Sequence, residues 1–327
     1  MKILVLTAAE VRQAIRMKIA IDVMKTAFRD FSMDNSQAPL RSKISADKSN
    51  GTVLLMPAIT DSDLAIKIVS VFDNYHHLAL PLIHAMIIVL DVSTGKPLAL
   101  LEGGSITAIR TGAASGAATD VLARNDAKSV AIIGSGVQAR TQLEAVCTVR
   151  KIEKAWVYSP NTEHAEIFAS EMSGREPIPD DLCVVTSSME AIQDADIICT
   201  ATTSNTPVFD GNYIKKGTHV NAIGSFTPKM QEVDPVTISK SLVVVDSRKS
   251  VLEEAGDLII PIEANIVKKD HIHAELGAII SNTLLGRTNR NQITYFKSCG
   301  VAVQDVAAAQ LAVQEAKRLG LGTVISL

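Results

Sequence analysis

The chain has 327 residues, of which 47% are hydrophobic and 20% charged, and its formal net charge is −3. This length fits two domains with sizeable cores, and the interspersed charges form no basic stripe, which argues against a nucleic-acid partner. No apolar run reaches the roughly 18 residues that a membrane span needs, and the N-terminus turns polar too early for a secretory signal, so we expect a soluble, cytoplasmic protein without a membrane partner.

The first hundred residues predict two helices followed by a sheet. Thr7 and Glu10 have the spacing of a capping box, which predicts a helix at TAAEVRQAI, and AIDVMKTAFRDF predicts a second. Polar or Gly/Pro residues then separate four β-rich runs, which indicate a curved, largely antiparallel sheet: TVLLMPAI, LAIKIVSVF, HAMIIVLDV and PLALLEG. The next stretch, ITAIRTGAASGAA (106–118), predicts a helix from near Ser105 to about Arg124.

From Ser129 onwards the pattern alternates between strands and helices. Several of the strand-like runs are continuously apolar, which is typical of parallel strands covered on both faces: SVAIIG, KAWVYS, CVVTS, DIICTAT, THVNAIG and SLVVVDS. These runs predict a doubly wound α/β domain. After it, HAELGAIISN predicts a helix, QITYFKSCG a strand, and DVAAAQLAVQEAKRLG a closing helix that we expect to return to the first domain.

The strongest single motif is VAIIGSGVQA, in which Gly134, Gly136 and Ala139 follow a strand in G-x-G-x-x-A spacing. Such glycines permit a tight turn and let the backbone approach a pyrophosphate at a helix N-terminus. A second glycine turn, NAIGSFTPKMQEVD (221–234), follows a strand at the carboxyl edge of the predicted sheet and should border the nicotinamide. The two turns together predict a dinucleotide site.

The end of the second strand of this domain, VYSPNTEH, bears on the choice of cofactor. An NAD site usually has an acidic residue there, whereas Ser159, Asn161 and Thr162 are uncharged and could accept a 2′-phosphate. This favours NADPH and leaves NADH open, because no arginine lies at the turn. Asn161 or Thr162 could equally cap the next helix.

Two basic residues lie in apolar surroundings in the sequence. Strand alternation puts Lys67 on one face with Ala65 and Val69, so its ammonium either reaches out at a sheet edge or is held for an anion or a proton transfer. Arg110 is the one charged residue of a small-residue helical stretch, and its guanidinium needs an anionic partner.

Arg41 and Asp305 are weaker candidates. Lys43 lies close to Arg41, which favours an ordinary solvated surface. Asp305 precedes an apolar helical run and either caps that helix or presents its carboxylate into a cleft. The four cysteines, Cys147, Cys183, Cys199 and Cys299, are scattered and predict reduced thiols, and we expect no metal site.

Taken together, the chain resembles the ornithine cyclodeaminase/mu-crystallin family over nearly its whole length. The resemblance lies in ITAIRTGAASG, IGSGVQA, THVNAIGS, HAELGAII and FKSCGVAVQDVAAA, in this order. It implies an α/β fold with a Rossmann-type doubly wound parallel sheet at 119–299, and a mixed α+β substrate and dimerisation domain formed by 1–118 with 300–327. It also implies a homodimer.

The resemblance also implies roles for individual residues. Arg41, Lys67 and Arg110 match the cationic residues around the substrate carboxylate, and Asp305 matches the active-site aspartate, so Lys67 and Asp305 are the expected catalytic pair. The residues expected to bind the cofactor are Arg110, Thr111, Gly134, Ser135, Gly136, Val137, Gln138, Ser159, Asn161, Thr162, Ala201, Thr202, Gly224 and Ser225.

One position separates the activities of the resembling proteins. Ornithine cyclodeaminases carry an Asp after the second glycine turn, and the archaeal alanine dehydrogenases tend to carry one as well. In this sequence Phe226 stands at that position. An apolar ring cannot bind an ammonium or shuttle its proton. The resemblance therefore favours an NAD(P)H-dependent reductase of cyclic imino acids, of Δ1-pyrroline-2-carboxylate first and Δ1-piperideine-2-carboxylate second. Ornithine cyclodeaminase, alanine dehydrogenase and an NADPH-dependent ligand-binding protein are the alternatives.

Overall fold

The computed structural model describes residues 1–72 and 83–327, and the chain divides into two compact units. The first unit consists of Met1–Arg110 and Val301–Leu327, and the second of Thr111–Gly300. The chain therefore passes between the units at 110/111 and 300/301, whereas the prediction uses 118/119 and 299/300. No helix in the described part of the chain is long and apolar enough to cross a membrane.

The helices and strands of the described residues are numbered in chain order through both units. Short 3₁₀ turns lie at Asp47–Ser49 and Lys269–His271. They are β1 (Lys2–Leu6), α1 (Ala8–Ala14), α2 (Met17–Ser32), β2 (Ser36–Gln37), β3 (Ser42–Ala46), β4 (Gly51–Thr60), β5 (Leu64–Phe72), β6 (Ile83–Leu90), β7 (Pro97–Glu102), α3 (Gly103–Leu122), β8 (Ser129–Ile133), α4 (Val137–Val149), β9 (Lys154–Tyr158), α5 (Thr162–Met172), β10 (Leu182–Val184), α6 (Ser188–Ile192), β11 (Ile197–Thr200), β12 (His219–Ala222), α7 (Pro235–Lys240), β13 (Ser241–Val245), α8 (Arg248–Glu254), α9 (Gly256–Glu263), β14 (Ile272–Glu275), α10 (Leu276–Ile280), β15 (Ile293–Lys297), α11 (Ala302–Leu319) and β16 (Thr323–Ser326).

The first unit is a largely antiparallel sheet with helices against one face. Its strands lie in the order β16-β1-β7-β6-β5-β4-β2, β3 also pairs with β4, and β1 with β7 is a parallel pair. The closing helix α11 packs on β4, β5 and β6 and against α1 and α2, as we expected from the sequence. The prediction missed β1, β3 and β16, because these short strands gain their order from pairing with neighbours and not from a distinct apolar pattern.

Local signals explain the helix starts. Thr7 and Glu10 form the predicted capping box, in which the Glu10 carboxylate accepts from the backbone N–H of Thr7 at 2.9 Å. Helix α3 begins at Gly103, two residues before Ser105, near which its start was predicted. The carboxylate of Glu102 accepts from the N–H groups of Gly104 and Ser105 at 2.6 and 2.8 Å and so replaces a serine cap.

The second unit contains the predicted doubly wound sheet. All of its strands are parallel, in the order β10-β9-β8-β11-β12-β15-β13-β14, so the chain reverses its winding direction between β8 and β11. Neighbouring residues of β8 lie in different hydrophobic clusters, Ile132 in one and Ile133 in the other, because helices cover both faces. Part of HAELGAIISN is strand β14, not helix, since its first residues pair with β13.

Candidate active site

A buried group of charged side chains lies at the centre of the first unit. Lys67 on β5, Arg110 on α3 and Asp305 on α11 are each no more than 6% exposed in their side chains. Nζ of Lys67 lies 2.7 Å from Oδ2 of Asp305, and Nε of Arg110 donates to Oδ1 of the same carboxylate at 3.0 Å. We call these three residues the charged cluster.

The surrounding elements fix each member of the charged cluster. Strand β5 lies between β4 and β6, so Lys67 is in the middle of a sheet and cannot reach out at an edge. Asp305 lies inside the first turn of α11 and does not cap it. Its neighbour Gln304 accepts from the N–H of Val301 at 2.8 Å and from Nη1 of Arg110 at 3.1 Å. Gln304, the second anchor of Arg110, was not predicted from the sequence.

The charges of the cluster shift its protonation equilibria. Burial lowers the pKa of Lys67 from 10.5 to about 7, because desolvation together with Arg110 and Arg41 outweighs the attraction of Asp305. Burial on its own would raise the pKa of Asp305, but Arg110 and Lys67 hold that pKa below its usual range. The half-buried Arg41 is thus close enough to act on Lys67 electrostatically. Within the charged cluster, two cationic side chains share one carboxylate.

The glycine-rich turn of the second unit is shaped for a ligand phosphate. Gly134 has φ +108°, and a Cβ there would lie 2.5 Å from the carbonyl oxygen of Ala201, so only glycine fits. Gly136 precedes α4 without a side-chain cap, and Val137 is 69% exposed. In the described chain, the buried Oε1 of Gln138 has no hydrogen-bond donor. These open N–H groups and this acceptor fit a dinucleotide pyrophosphate and its ribose.

Three more loops follow parallel strands at the same edge of this sheet. Ala201 and Thr202 follow β11, and Gly224 and Ser225 follow β12. Ser159, Asn161 and Thr162 come after β9, where Oδ1 of Asn161 accepts from the N–H of His164 at 3.2 Å and caps α5. Because the carboxyl ends of parallel strands meet at one edge, the predicted cofactor residues from Gly134 onwards are gathered there.

The structure thus places the predicted residues in two groups. The first unit contains Arg41, Lys67, Arg110 and Asp305, so Arg110 is the one predicted cofactor residue that lies there. The second unit contains Thr111 and all the remaining predicted cofactor residues. All four cysteines are thiols and not disulfides. Glu232, which was not predicted from the sequence, is a buried carboxylate whose hydrogen bonds join the loops after β11 and β12.

A doubly wound sheet with a glycine-rich turn, in one chain with a buried Lys–Asp–Arg cluster, defines a nicotinamide-dependent oxidoreductase. Within that class, the chain belongs to the ornithine cyclodeaminase/mu-crystallin family, whose model matches residues 1–319. The family and the fold class expected from the sequence are therefore confirmed.

Three relatives show how far the similarity extends. The Δ1-pyrroline-2-carboxylate reductase of Bacillus cereus is 41% identical over 322 residues, which cover 98% of each chain. The structure of the Thermococcus litoralis Δ1-pyrroline-2-carboxylate reductase in complex with NADH and L-proline is 44% identical, with a TM-score of 0.94 over 98% of this chain and 99% of that one. An archaeal alanine dehydrogenase dimer with bound NAD is 31% identical, with a TM-score of 0.93 over the full length of both chains.

Proposed function

We propose that this protein reduces cyclic imino acids with a nicotinamide cofactor, converting Δ1-pyrroline-2-carboxylate to L-proline and Δ1-piperideine-2-carboxylate to L-pipecolate. The observation that carries the proposal is the charged cluster, in which a lysine with a pKa near 7 and an arginine share one buried carboxylate. The Bacillus and Thermococcus reductases, similar over nearly the full chain, support the same reaction.

The cations of the cluster suit a substrate that carries a carboxylate. Lys67 and Arg110 together supply two positive charges, of which Asp305 compensates one, and the field of the nearby Arg41 reaches Lys67. A planar guanidinium held by Asp305 and Gln304 is already oriented, so it loses little freedom when an anion binds. Substrate fixed in this way has its ring nitrogen and imine carbon in a defined position, which is most of what a hydride transfer requires of a protein.

The reduction also needs a proton at the ring nitrogen. The cofactor, when bound, supplies the hydride that adds to the imine carbon. Lys67 then has the protonation equilibrium of a general acid, since a pKa near 7 leaves its ammonium both populated and able to give up a proton at neutral pH. Asp305 orients the ammonium and stabilises it before the transfer.

The position of Phe226 argues against release of ammonia from ornithine. The half-buried ring follows Ser225 directly in the loop after β12, where cyclodeaminases have a carboxylate. Without a carboxylate there, the side-chain amine of ornithine lacks its ionic partner. The same observation disfavours alanine dehydrogenase activity, and the full set of Lys67, Arg110 and Asp305 favours catalysis over ligand binding alone.

We further propose that NADPH is preferred and NADH accepted. The turn after β9 offers hydroxyl groups at Ser159 and Thr162 and no carboxylate at 159–162, so nothing there repels a 2′-phosphate. Asn161 already caps α5, so it contributes less than Ser159 and Thr162 to the choice between NADPH and NADH. The ratio of the NADPH and NADH dissociation constants measures this preference directly.

The sheet of the first unit supports a homodimer. The face of the sheet away from α11 carries apolar residues in register, with Ile68 on β5 opposite both Leu55 on β4 and Met86 on β6. Met86 is 51% and Ile44, on β3, 57% exposed. A continuous apolar sheet face of this kind is typical of a subunit interface. The archaeal relative described as a dimer supports the same assembly.

Turnover measurements test the proposed reaction. Oxidation of NADPH and of NADH, followed by the absorbance of the reduced ring, is measured with Δ1-pyrroline-2-carboxylate and separately with pyruvate plus ammonia. Turnover with the cyclic imine alone supports the proposal. Turnover only with pyruvate and ammonia, or ammonia release from ornithine with catalytic NAD, would replace it with the corresponding alternative.

A further inference from the structure

A single carboxylate ties together the loops that follow β11 and β12, two neighbouring strands of the parallel sheet, of which β11 borders the switch point. Glu232 is fully buried in the segment between β12 and α7. Its Oε1 accepts from the N–H of Thr202 at 2.5 Å, and its Oε2 accepts from the N–H groups of Gly224 and Ser225 at 2.6 and 3.0 Å. The hydroxyl of Thr200 donates to Oε2 at 3.0 Å. One side chain therefore sets the distance between the ends of β11 and β12.

These four contacts also fix the charge of Glu232. Three of the donors are backbone N–H groups, which cannot accept a proton from a neutral carboxyl group, so the set suits a carboxylate. Burial and the nearby Asp257 raise the pKa of Glu232 above its usual range, and Lys297 and the Thr202 donor only partly offset that rise. With four donors satisfying its oxygens, the ionised form is the one that this environment holds.

The charge of Glu232 is not neutralised by an ion pair in the described chain. The neighbouring ammonium of Lys297 is itself fully buried and pairs with Asp257, with 2.8 Å between Nζ and Oδ2. The other oxygen of Asp257 accepts from the N–H groups of Glu232 and Val233 at 2.7 and 3.1 Å. The Lys297–Asp257 pair thus braces the segment that carries Glu232, and the three groups together leave one buried negative charge.

We infer that Glu232 is a positioning residue for the nicotinamide end of the cofactor, and that its uncompensated charge favours the oxidised ring over the reduced one. The inference rests on the proposed function, since it requires a nicotinamide at this edge of the sheet. Ligands of doubly wound sheets bind outside the carboxyl ends of the strands near the switch point, and Glu232 holds the loop after β11, which borders that point, to the loop after the neighbouring strand β12. The ring carries a positive charge only when oxidised, so a fixed anion nearby discriminates between the two forms.

Cofactor binding in the absence of substrate tests the inference. Glu232→Gln keeps the shape of the side chain but removes its charge. We expect the dissociation constant of NAD⁺ to rise about tenfold relative to that of NADH, which corresponds to about 1.4 kcal/mol. Hydrogen exchange of the amides at 202, 224 and 225 should also accelerate. Titration calorimetry for NAD⁺ and fluorescence for NADH supply the two constants.

Two further variants separate the effect of the Glu232 charge from the effect of its side-chain length. Glu232→Asp keeps the charge on a shorter side chain, so it should weaken the binding of both cofactors while leaving the ratio of their dissociation constants within about threefold of the wild-type value. Unchanged affinity for both cofactors in this variant would overturn the positioning role. Asp246→Asn is the matched control. Asp246 is a buried carboxylate with the same donor set, one hydroxyl and three backbone N–H groups, but it follows β13, away from the switch point. The Asp246→Asn substitution should leave the ratio of the NAD⁺ and NADH dissociation constants unchanged.

The outcomes distinguish this inference from the proposed function. An unshifted NAD⁺/NADH ratio in Glu232→Gln, or an equal shift in Asp246→Asn, would overturn the role of Glu232 and leave imine reduction standing. A wild-type protein that binds neither nicotinamide would overturn both. Normal cofactor ratios with no turnover of any cyclic imine would overturn the proposed reaction alone.

Discussion

Replacing Lys67 by methionine should abolish imine reduction and at the same time stabilise the protein. Methionine matches the length of the lysine stem and needs no counter-ion. Asp305 keeps its second cationic partner, because Arg110 donates to it at 3.0 Å. The variant therefore removes a buried charge without leaving the carboxylate unpaired, which is the condition under which such replacements are stabilising.

The lowered pKa of Lys67 determines how large the stabilisation of the Lys67→Met variant should be. Lowering it from 10.5 to about 7 means that the folded protein disfavours the ammonium by about 5 kcal/mol relative to the unfolded chain, at about 1.4 kcal/mol per pH unit. Between these two pH values the unfolded chain binds a proton that the folded protein does not. The free energy of unfolding of the wild type therefore rises with pH across that window because of this group. At pH 7 we expect the Lys67→Met variant to be about 1–4 kcal/mol more stable.

Urea unfolding at a series of pH values measures this difference. The advantage of Lys67→Met should be largest at or below pH 7 and shrink by about 1.4 kcal/mol per pH unit above it. Lys43→Met, at an exposed lysine on β3 of the same sheet, is the control and should change stability by less than about 0.5 kcal/mol at any pH. A Lys67→Met protein that is less stable than the wild type at pH 7, or a difference independent of pH, would refute the reasoning.

Four further predictions concern activity and assembly. Arg110→Ala should lower kcat/KM for the cyclic imine at least about a hundredfold through loss of a charge-assisted contact, and near-normal kinetics would remove its assigned role. Imine reduction should slow, and proline oxidation should accelerate, as pH rises through about 7, because Lys67 loses the proton it donates; a flat profile would exclude it as the acid. Gly134→Val, whose Cβ would lie 2.5 Å from the Ala201 oxygen, should eliminate NADH binding with the circular dichroism retained, and unchanged affinity would contradict the phosphate turn. Met86→Asp, at an exposed position of the apolar sheet face, should convert the proposed dimer to monomers in light scattering, and a variant that stays dimeric would contradict this interface.

The second unit could be predicted from sequence because its signals are local. Continuously apolar strands and the glycine turn at Gly134 each lie within a few consecutive residues, and the parallel sheet follows from their alternation with helices. The strand β14 was missed because its pairing with β13 is a contact between distant parts of the chain. Likewise β16 is exposed along its whole length and is ordered by pairing with β1.

The charged cluster shows the same limit within one site. Lys67 and Arg110 could be singled out because each is a lone charge in apolar or small-residue surroundings. Their common partner is 195 residues from Arg110 in the chain, so periodicity could not connect them and the family resemblance was needed. Glu232 had no such signal, since one acid in a polar loop is usually solvated. The role of Glu232 is recognised only from the four hydrogen-bond donors that converge on its carboxylate in the structure.

The excess positive charge around Lys67 has a consequence for handling the protein. Lys67 and Arg110 share the single carboxylate of Asp305, so we expect small anions of many shapes to compete for the same guanidinium and ammonium groups. Phosphate, sulfate and chloride should act as competitive inhibitors against the imino acid and as stabilisers in thermal unfolding. Kinetic constants measured in different buffer salts will therefore differ, and unrelated short carboxylates offer starting points for inhibitors.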